Sequence, residues 1–504
     1  MTERVPGDSS GADREVLGMA RGSGLNFLGL SISQAAALLI SLIVARVLGR
    51  SDLGIYAQAF AVMSLLQMVA TGGLHTGTMR FVAVHRARND SGAVYGTVLL
   101  GVGSALALAC VLGLALWFLS RWMAVSVFSE PGLARPLGAV ALTLPAATFA
   151  GVALGATQGF KTMRASASIG LILEPALRVV LTVVLLLMGW GVMGAMAALV
   201  ASHYIAAALS ARAIRRLLKH PDPPVYEPRR LFAFSSVSWL GSLANSGLVW
   251  ADTVILGVYL PSSEVGVYSV ATRLVVLASL VQTAINLALG PRIADLYSRD
   301  ERHALERAYR AAANWTVRLA LPAFGLLIIF PEELLDIFGN GFRAAGAVTA
   351  VLAIGKLVDA ATGPCALMLN MSGRPLVNTL NNLAVLVVNV VLNVLLIPRF
   401  GLIGAAAAWT ISLTVVNVAR VLEVWVIMGM WPFGTAMLKG LAAATAGAVP
   451  AWYVSTLFAG FPAVAAGAAA LCLTYLGVIT ALGITDEDRL VFSALRRRLG
   501  TAKG

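Results

Sequence analysis

The chain is organised around long stretches of apolar residues, each about the length of a membrane-spanning helix. An α-helix needs about 20 predominantly apolar residues to cross the hydrocarbon core of a bilayer. Of the 504 residues, 59% are hydrophobic and only 12% are charged, and the mean hydropathy is +0.84. Soluble domains carry about 25% charged residues, so this composition indicates an all-α integral membrane protein. The apolar stretches predict fourteen helices, at 24–48, 54–79, 93–119, 134–158, 166–188, 192–213, 231–257, 265–290, 309–330, 345–371, 376–397, 402–427, 434–457 and 462–482.

Two segments of the first half return in the second half. The segment GWGVMGAMAA at 189–198 reappears as RFGLIGAAAA at 399–408. Near the start of each half, LGRSDLGIY at 48–56 is echoed by LG at 256–257 and SEVGVY at 263–268. Membrane proteins made of two similar helical bundles are typical of transporters, with a substrate path between the bundles. The repeat therefore bears on function as well as on fold.

Basic residues are distributed unevenly between the two sides of the predicted membrane. Most Lys and Arg residues of the loops and tails fall on the side that holds both termini, and few lie in the opposite loops. The positive-inside rule then places both termini in the cytoplasm. The net charge of +13 follows from this basic inner face, which contacts anionic lipid headgroups. We expect membrane lipids, and no nucleic acid, as partners of these charges.

The loops exclude several functional classes. They are short, which leaves no room for a soluble catalytic domain, and no nucleotide-binding loop of the G-x-x-x-x-G-K-[ST] type is present. The three cysteines are isolated, so their spacing predicts neither a disulfide framework nor a metal site. We predict a protein that is not an enzyme and that holds no metal or cofactor. A polytopic glycan polymerase or glycosyltransferase stays an alternative, although the large outer loop typical of such enzymes is missing.

Some charged residues inside the predicted helices come in local pairs. Glu174 and Arg178 are four residues apart with the acid first, an order and spacing that favour an ion pair on one helix face. Lys356 and Asp359 are three apart and invite the same interpretation. Either pair is a self-neutralising structural feature or a part of a polar cavity, and the sequence does not distinguish the two.

Other intramembrane cations have no acidic residue one helical turn away along the sequence. They are Arg46, Arg273 and Arg318. A charge near the bilayer centre costs roughly 2.5 kcal/mol or more, so such residues usually face a wet cavity or a partner. We predict that these arginines, together with Lys356 and Arg178, line a cationic cavity for an anionic substrate, since guanidinium groups bind diphosphate and carboxylate in a bidentate manner. Asp252 is a candidate partner for one of them or a site for a coupling ion, and Asp359 and Glu174 are the other charge partners.

Several short motifs resemble those of a known family. The segments ARVLG at 45–49 and DLGIY at 52–56 resemble the opening signature of Wzx-type polysaccharide flippases, members of the multidrug/oligosaccharidyl-lipid/polysaccharide exporter superfamily. Asp252, LG at 256–257, GVY at 266–268 and Arg273 resemble the start of that family's second half. The loops ATQG and NMSG are similar to its short loops after the fourth and tenth helices, at 156–159 and 370–373.

This resemblance implies two six-helix bundles related as a parallel pseudo-repeat, with two additional C-terminal helices. It also implies alternating access, and the transfer of an undecaprenyl-diphosphate-linked oligosaccharide from the inner to the outer leaflet of a bacterial inner membrane. A polysaccharide polymerase and other assembly proteins are possible partners. The corresponding division of the chain is a cytoplasmic tail at 1–23, a bundle at 24–218, a linker at 219–230, a bundle at 231–430, two helices at 431–484 and a basic cytoplasmic tail at 485–504.

Three further functions are alternatives at the level of the sequence. A cation-coupled multidrug exporter of the same superfamily would need a dominant acidic site, and acids are sparse here. A lipid II flippase would be expected to have more basic residues in its first helices. A membrane scaffold without transport activity would have no need of surplus intramembrane arginines. The sugar composition of the cargo, the driving force and the oligomeric state are not readable.

Overall fold

The computed structural model describes residues 9–218, 222–458 and 460–483, and side chains from residue 24 onward. The described residues form helices and connecting turns, without a β-strand. The predicted tail at 485–504, the first eight residues and positions 219–221 of the predicted linker lie outside the described part. The chain divides into two compact units, Met1–Ser269 and Val270–Gly504. The predicted all-helical class is confirmed, whereas the predicted bundle boundaries stay a prediction.

The first unit is built around a helix that packs against most of the others. This helix, α4, contacts α1, α2, α3 and α6, while α7 lies against α1 and α2. Two π-helical segments interrupt the regular geometry, at Met123–Val127 and at Ser166–Leu173. Pro175 follows the second of these, and the wider turn accommodates a residue that lacks a backbone N–H. The helices are α1 (Ser9–Thr71), α2 (Leu74–Ala87), α3 (Ser91–Trp122), α4 (Ala134–Gly159), α5 (Glu174–Leu187), α6 (Gly191–Leu217), α7 (Pro228–Tyr259) and the start of α8 (Ser262–Ala278).

The second unit is centred on α10 and α14. Helix α10 packs against α9, α12 and α15, and α14 packs against α12 and α13. The last two helices, α15 and α16, pair with each other. After the end of α8, the helices are α9 (Leu280–Ser298), α10 (Arg302–Ile329), α11 (Pro331–Leu335), α12 (Gly346–Ala361), α13 (Cys365–Met371), α14 (Pro375–Met428), α15 (Thr435–Leu457) and α16 (Phe461–Ala481).

Three stretches predicted as single helices are broken. The stretch 54–79 is divided at Gly72 and Gly73, whose positive φ angles of 54° and 71° end α1 and begin α2. The stretch 265–290 bends by 42° between α8 and α9, and the stretch 345–371 is divided after α12, near Gly363 with φ of 66°. Each break lies in an apolar context, so hydropathy alone gave no sign of it.

Length and composition qualify nine helices of the described residues to cross a membrane, or ten if the bent pair of α8 and α9 forms one span. Two of these helices are long because their halves are joined through one non-helical glycine. Helix α1 is interrupted at Gly49, with φ of 85°, and α14 at Gly401, with φ of 57°. Both glycines lie at predicted helix ends. The chain is therefore a multi-pass membrane protein, and the total of fourteen spans stays a prediction.

The sequence repeat corresponds to repeated backbone features. Gly191 and Gly401 occupy equivalent positions of the two similar segments, and both have φ of 57°. The other echo brings two helices into close contact inside the first unit. A Cβ atom on Gly54 would lie 1.6 Å from the carbonyl oxygen of Ser262, and one on Gly266 would lie 2.1 Å from that of Arg50. Glycine is therefore required on both helices at this crossing.

Candidate functional site

The first unit holds a buried charge cluster on α5 and α6. The Nε atom of Arg178 lies 3.6 Å from Oε1 of Glu174, and these side chains are 8% and 11% exposed. Ser202 donates a hydrogen bond of 3.0 Å to the same oxygen, and Nδ1 of His203 lies 3.5 Å from it. The guanidinium carbon of Arg178 is 5.4 Å from the ring centre of Phe60. The ion pair predicted from the spacing is present, and it neutralises Arg178 locally.

The second unit holds a carboxylate with several donors, that of Asp359 on α12, whose side chain is 16% exposed. Its Oδ2 atom accepts hydrogen bonds from Nζ of Lys356 at 3.0 Å and from Nε2 of Gln282 at 3.1 Å. Its Oδ1 atom accepts a bond of 2.8 Å from Nδ2 of Asn417. The donors come from α9, α12 and α14, so this one side chain ties three helices together. The ammonium group of Lys356 also lies 5.7 Å from the ring centre of Trp409.

The polar network continues along α14. Arg420 is buried and donates to Oδ1 of Asn417 at 3.3 Å and to Oδ1 of Asn382. Asn381 donates a bond of 2.6 Å to Oε2 of Glu423. Polar side chains between membrane helices either join the helices or face a hydrated cavity. Here they form a continuous chain of hydrogen bonds from Lys356 to Asn382, which stabilises the packing of α12 on α14.

The arginines predicted to line the cationic cavity have different surroundings in the structure. Arg318 is buried on α10, where Nε donates to the carbonyl oxygen of Ala436 on α15 at 3.4 Å. Arg46 is exposed on α1, three residues before Gly49, and Arg273 is half-buried on α8. These three arginines lie on separate elements, and whether they share a cavity stays a prediction.

Asp252 is almost fully buried in α7 and accepts a hydrogen bond of 3.1 Å from the hydroxyl group of Tyr268. Tyr268 belongs to the repeated GVY segment, so the motif contributes a contact that holds α7 to α8. Asp252 therefore has at least one structural role, independent of any part in coupling. Among the residues that the structure describes, no group of three or more His, Cys, Asp or Glu side chains is placed to hold a metal ion.

Gln282 and Asn417 are partners of Asp359 that the sequence did not predict. Both are amides in otherwise apolar helices, which was the available signal. Local spacing identifies pairs within one helix, but it does not tell which helices are neighbours. The donors contributed by α9 and α14 could therefore only be recognised once the packing was known.

Comparison with known proteins places this architecture in a family. The family model described as polysaccharide biosynthesis protein matches residues 19–297, which is more than half of the chain. The chain belongs to the polysaccharide biosynthesis protein family. A second model, MatE, matches residues 238–395. The two matches together agree with the superfamily indicated by the motifs, and the predicted family is confirmed.

The chain is also similar to proteins named for glycan assembly. The chain is 29% identical over 194 residues to the probable low-salt glycan biosynthesis flippase Agl15 of Haloferax volcanii, a match covering 38% of this chain and 41% of that protein. It is 25% identical over 318 residues to the succinoglycan biosynthesis transport protein ExoT of Rhizobium meliloti, covering 62% and 61%. The chain thus matches less than two thirds of the length of either relative.

The fold of the protein is similar to that of a solved structure over nearly the whole chain. The lipid II flippase MurJ, in an inward closed conformation, superposes with a TM-score of 0.75, covering 90% of this chain and 98% of that one. Only 11% of the aligned residues are identical. The likeness therefore concerns the fold and does not extend to the cargo.

Proposed function

We propose that the protein is a flippase that moves an undecaprenyl-diphosphate-linked oligosaccharide from the inner to the outer leaflet of a bacterial inner membrane. The observation that carries this proposal is the match of the polysaccharide biosynthesis family model to residues 19–297. The names of Agl15 and ExoT, a glycan biosynthesis flippase and a succinoglycan transport protein, support the same class of cargo. Transport proceeds by alternating access, with both termini in the cytoplasm.

In this mechanism the cationic residues recognise the diphosphate and any acidic sugar. Guanidinium groups form bidentate hydrogen bonds with phosphate oxygens, which an ammonium group does not. Arg46 and Arg273 are the first candidates, because their side chains are exposed or half-buried and so are accessible to a ligand. Arg178 and Arg318 are buried, so they contribute mainly to the electrostatic potential. Lys356 is bound to Asp359 and contributes in the same way. The prenyl tail stays in the bilayer.

The geometry gives less support to a cation-coupled drug exporter. Glu174 and Asp359 already accept hydrogen bonds or ion pairs from neighbouring side chains. A coupling cation at Glu174 or Asp359 would therefore have to displace Arg178 or Lys356 from its carboxylate. Transfer of lipid II is the other alternative, and the fold shared with MurJ does not separate it from the proposed cargo.

Arginine variants test the proposed recognition of the diphosphate. In a strain that lacks the chromosomal copy, the Arg46→Ala/Arg273→Ala double variant is expected to lower export of the surface polysaccharide at least tenfold, because two bidentate contacts are lost. Export is measured as surface polysaccharide per cell, at matched amounts of membrane-inserted protein. Arg399→Ala is the matched control, since it removes an exposed arginine at the helix break before Gly401 and should leave export unchanged. Unchanged export in the double variant would contradict the role of these arginines.

A further inference from the structure

A cavity of about 340 Å³ lies within the first unit and belongs to none of the charge clusters. Its walls come from the part of α1 that follows Gly49, from the start of α2 and from the middle of α7. Its volume is at the lower end of the range for ligand pockets, roughly 300–1,000 Å³. The polar and aromatic groups on its surface include Gln67, His75, Thr76, Ser242, Ser246 and Trp250.

Several polar side chains of this cavity are available to a ligand. Within the described structure, Gln67, Thr76, Ser242 and Ser246 make no side-chain hydrogen bond to another described residue. A serine or threonine hydroxyl group can donate one hydrogen bond and accept two, and a glutamine amide can do both. Unused groups of this kind are costly in a membrane protein unless water or a ligand satisfies them. The cavity therefore has an excess of both donors and acceptors.

His75 is held in a fixed orientation at the same cavity. Its Nδ1 atom lies 2.8 Å from the carbonyl oxygen of Gly151 on α4. A carbonyl oxygen only accepts hydrogen bonds, so Nδ1 carries the proton and donates it. In the neutral imidazole the other ring nitrogen, Nε2, is then an acceptor. A hydroxyl group is the simplest ligand group that donates to this acceptor.

The cavity is uncharged and has an aromatic wall. None of the ten residues that line it is Asp, Glu, Lys or Arg. The Trp250 ring is held edge-on by Phe60, with ring centres 5.3 Å apart and planes at 62°. A pyranose ring presents C–H groups on its faces and hydroxyl groups around its rim, so it packs on an indole face while it bonds to the surrounding side chains. An anion or an organic cation would find no counter-charge here.

We propose that this cavity binds a neutral pyranose unit of the transported glycan. This inference rests on the proposed function for the identity of the cargo, and it adds a second recognition site to the cationic one. The arginines bind the diphosphate of the proposed cargo. The neutral cavity, with Gln67, Ser242 and Ser246 around Trp250, binds a hexose of the repeat unit. It thereby contributes to selection among cargoes.

Binding of simple glycosides tests the cavity apart from transport. The full-length protein in detergent micelles is mixed with a panel of neutral methyl hexopyranosides, and saturation-transfer difference NMR reports contact with the sugar protons. We expect binding of at least one glycoside. The Gln67→Leu/Ser246→Ala double variant is expected to weaken that binding at least tenfold. Asn245→Ala is the matched control, because Asn245 lies on α7 beside Ser246 but is exposed and outside the cavity lining.

The outcomes separate this inference from the proposed function. If the wild-type protein binds none of the glycosides, or if the double variant binds them as tightly as the wild type, the sugar site is overturned, even where glycan flipping is intact. If the sugars bind and the variant loses them, the site is supported. If the double variant loses sugar binding but a deletion strain has an unchanged pool of lipid-linked glycan, the sugar site is supported and the proposed flippase function is contradicted.

Discussion

At the residue scale, the carboxylates of Glu174 and Asp359 are each neutralised by an adjacent cation and by nearby hydrogen-bond donors. Asp359 receives three donors and Glu174 has a cation and a hydroxyl group beside it. Two ion pairs could be predicted from the sequence, because residues three or four apart share a helix face. The amide partners of Asp359 could not be predicted from the sequence, because they come from other helices. Each ion pair lies within one helix, and the neutral donors Ser202, Gln282 and Asn417 join these carboxylates to neighbouring helices without needing a ligand.

Removing only the cation of the Lys356–Asp359 pair should lower the stability of the protein more than removing both charges. Lys356→Met leaves the carboxylate of Asp359 with only neutral donors, which should cost about 3 kcal/mol in stability. Lys356→Met/Asp359→Leu should recover part of that loss, since no unpaired charge remains. The thermal unfolding midpoints of the purified single and double variants measure the difference. A double variant less stable than Lys356→Met would contradict this account of the pair.

At the element scale, positions of the helices followed from hydropathy, whereas several breaks inside them did not. Gly49 and Gly401 lie at predicted helix ends, but the break at Gly72 and Gly73 and the division near Gly363 were missed. Apolar composition fixes which stretches lie in the bilayer. It does not tell whether an individual glycine in such a stretch has a positive φ, because Gly is equally compatible with a continuous helix.

The contact between α1 and α8 gives a prediction for glycine. Gly54→Ala should destabilise the protein by about 1–3 kcal/mol, since the new methyl group would lie 1.6 Å from the Ser262 carbonyl oxygen and the helices would have to separate. Gly103→Ala is the control, because it lies in α3 with no atom within 4 Å of its added Cβ, and should gain about 0.5–1 kcal/mol from helix propensity. Thermal unfolding of both variants measures this, and equal midpoints would contradict the close contact.

On the scale of the whole molecule, the sequence repeat predicted the class of protein better than it predicted the site. The matching glycines at 191 and 401 have the same backbone conformation, and the GVY echo supplies Tyr268 to Asp252. The neutral cavity was missed, although Ser238, Ser242, Ser246 and Trp250 recur every four residues along α7. That spacing places them on one helix face, and it was the signal available in the sequence.

As a whole, the molecule is proposed to move a lipid-linked glycan across the membrane. The most direct measurement is the pool of undecaprenyl-diphosphate glycans in a deletion strain, resolved by leaflet and identified by mass. We predict that one oligosaccharide species accumulates in the cytoplasmic leaflet and that the wild-type protein, supplied from a plasmid, returns it to the outer leaflet. An unchanged pool, joined by new sensitivity to cationic drugs, would contradict the account and favour the drug exporter.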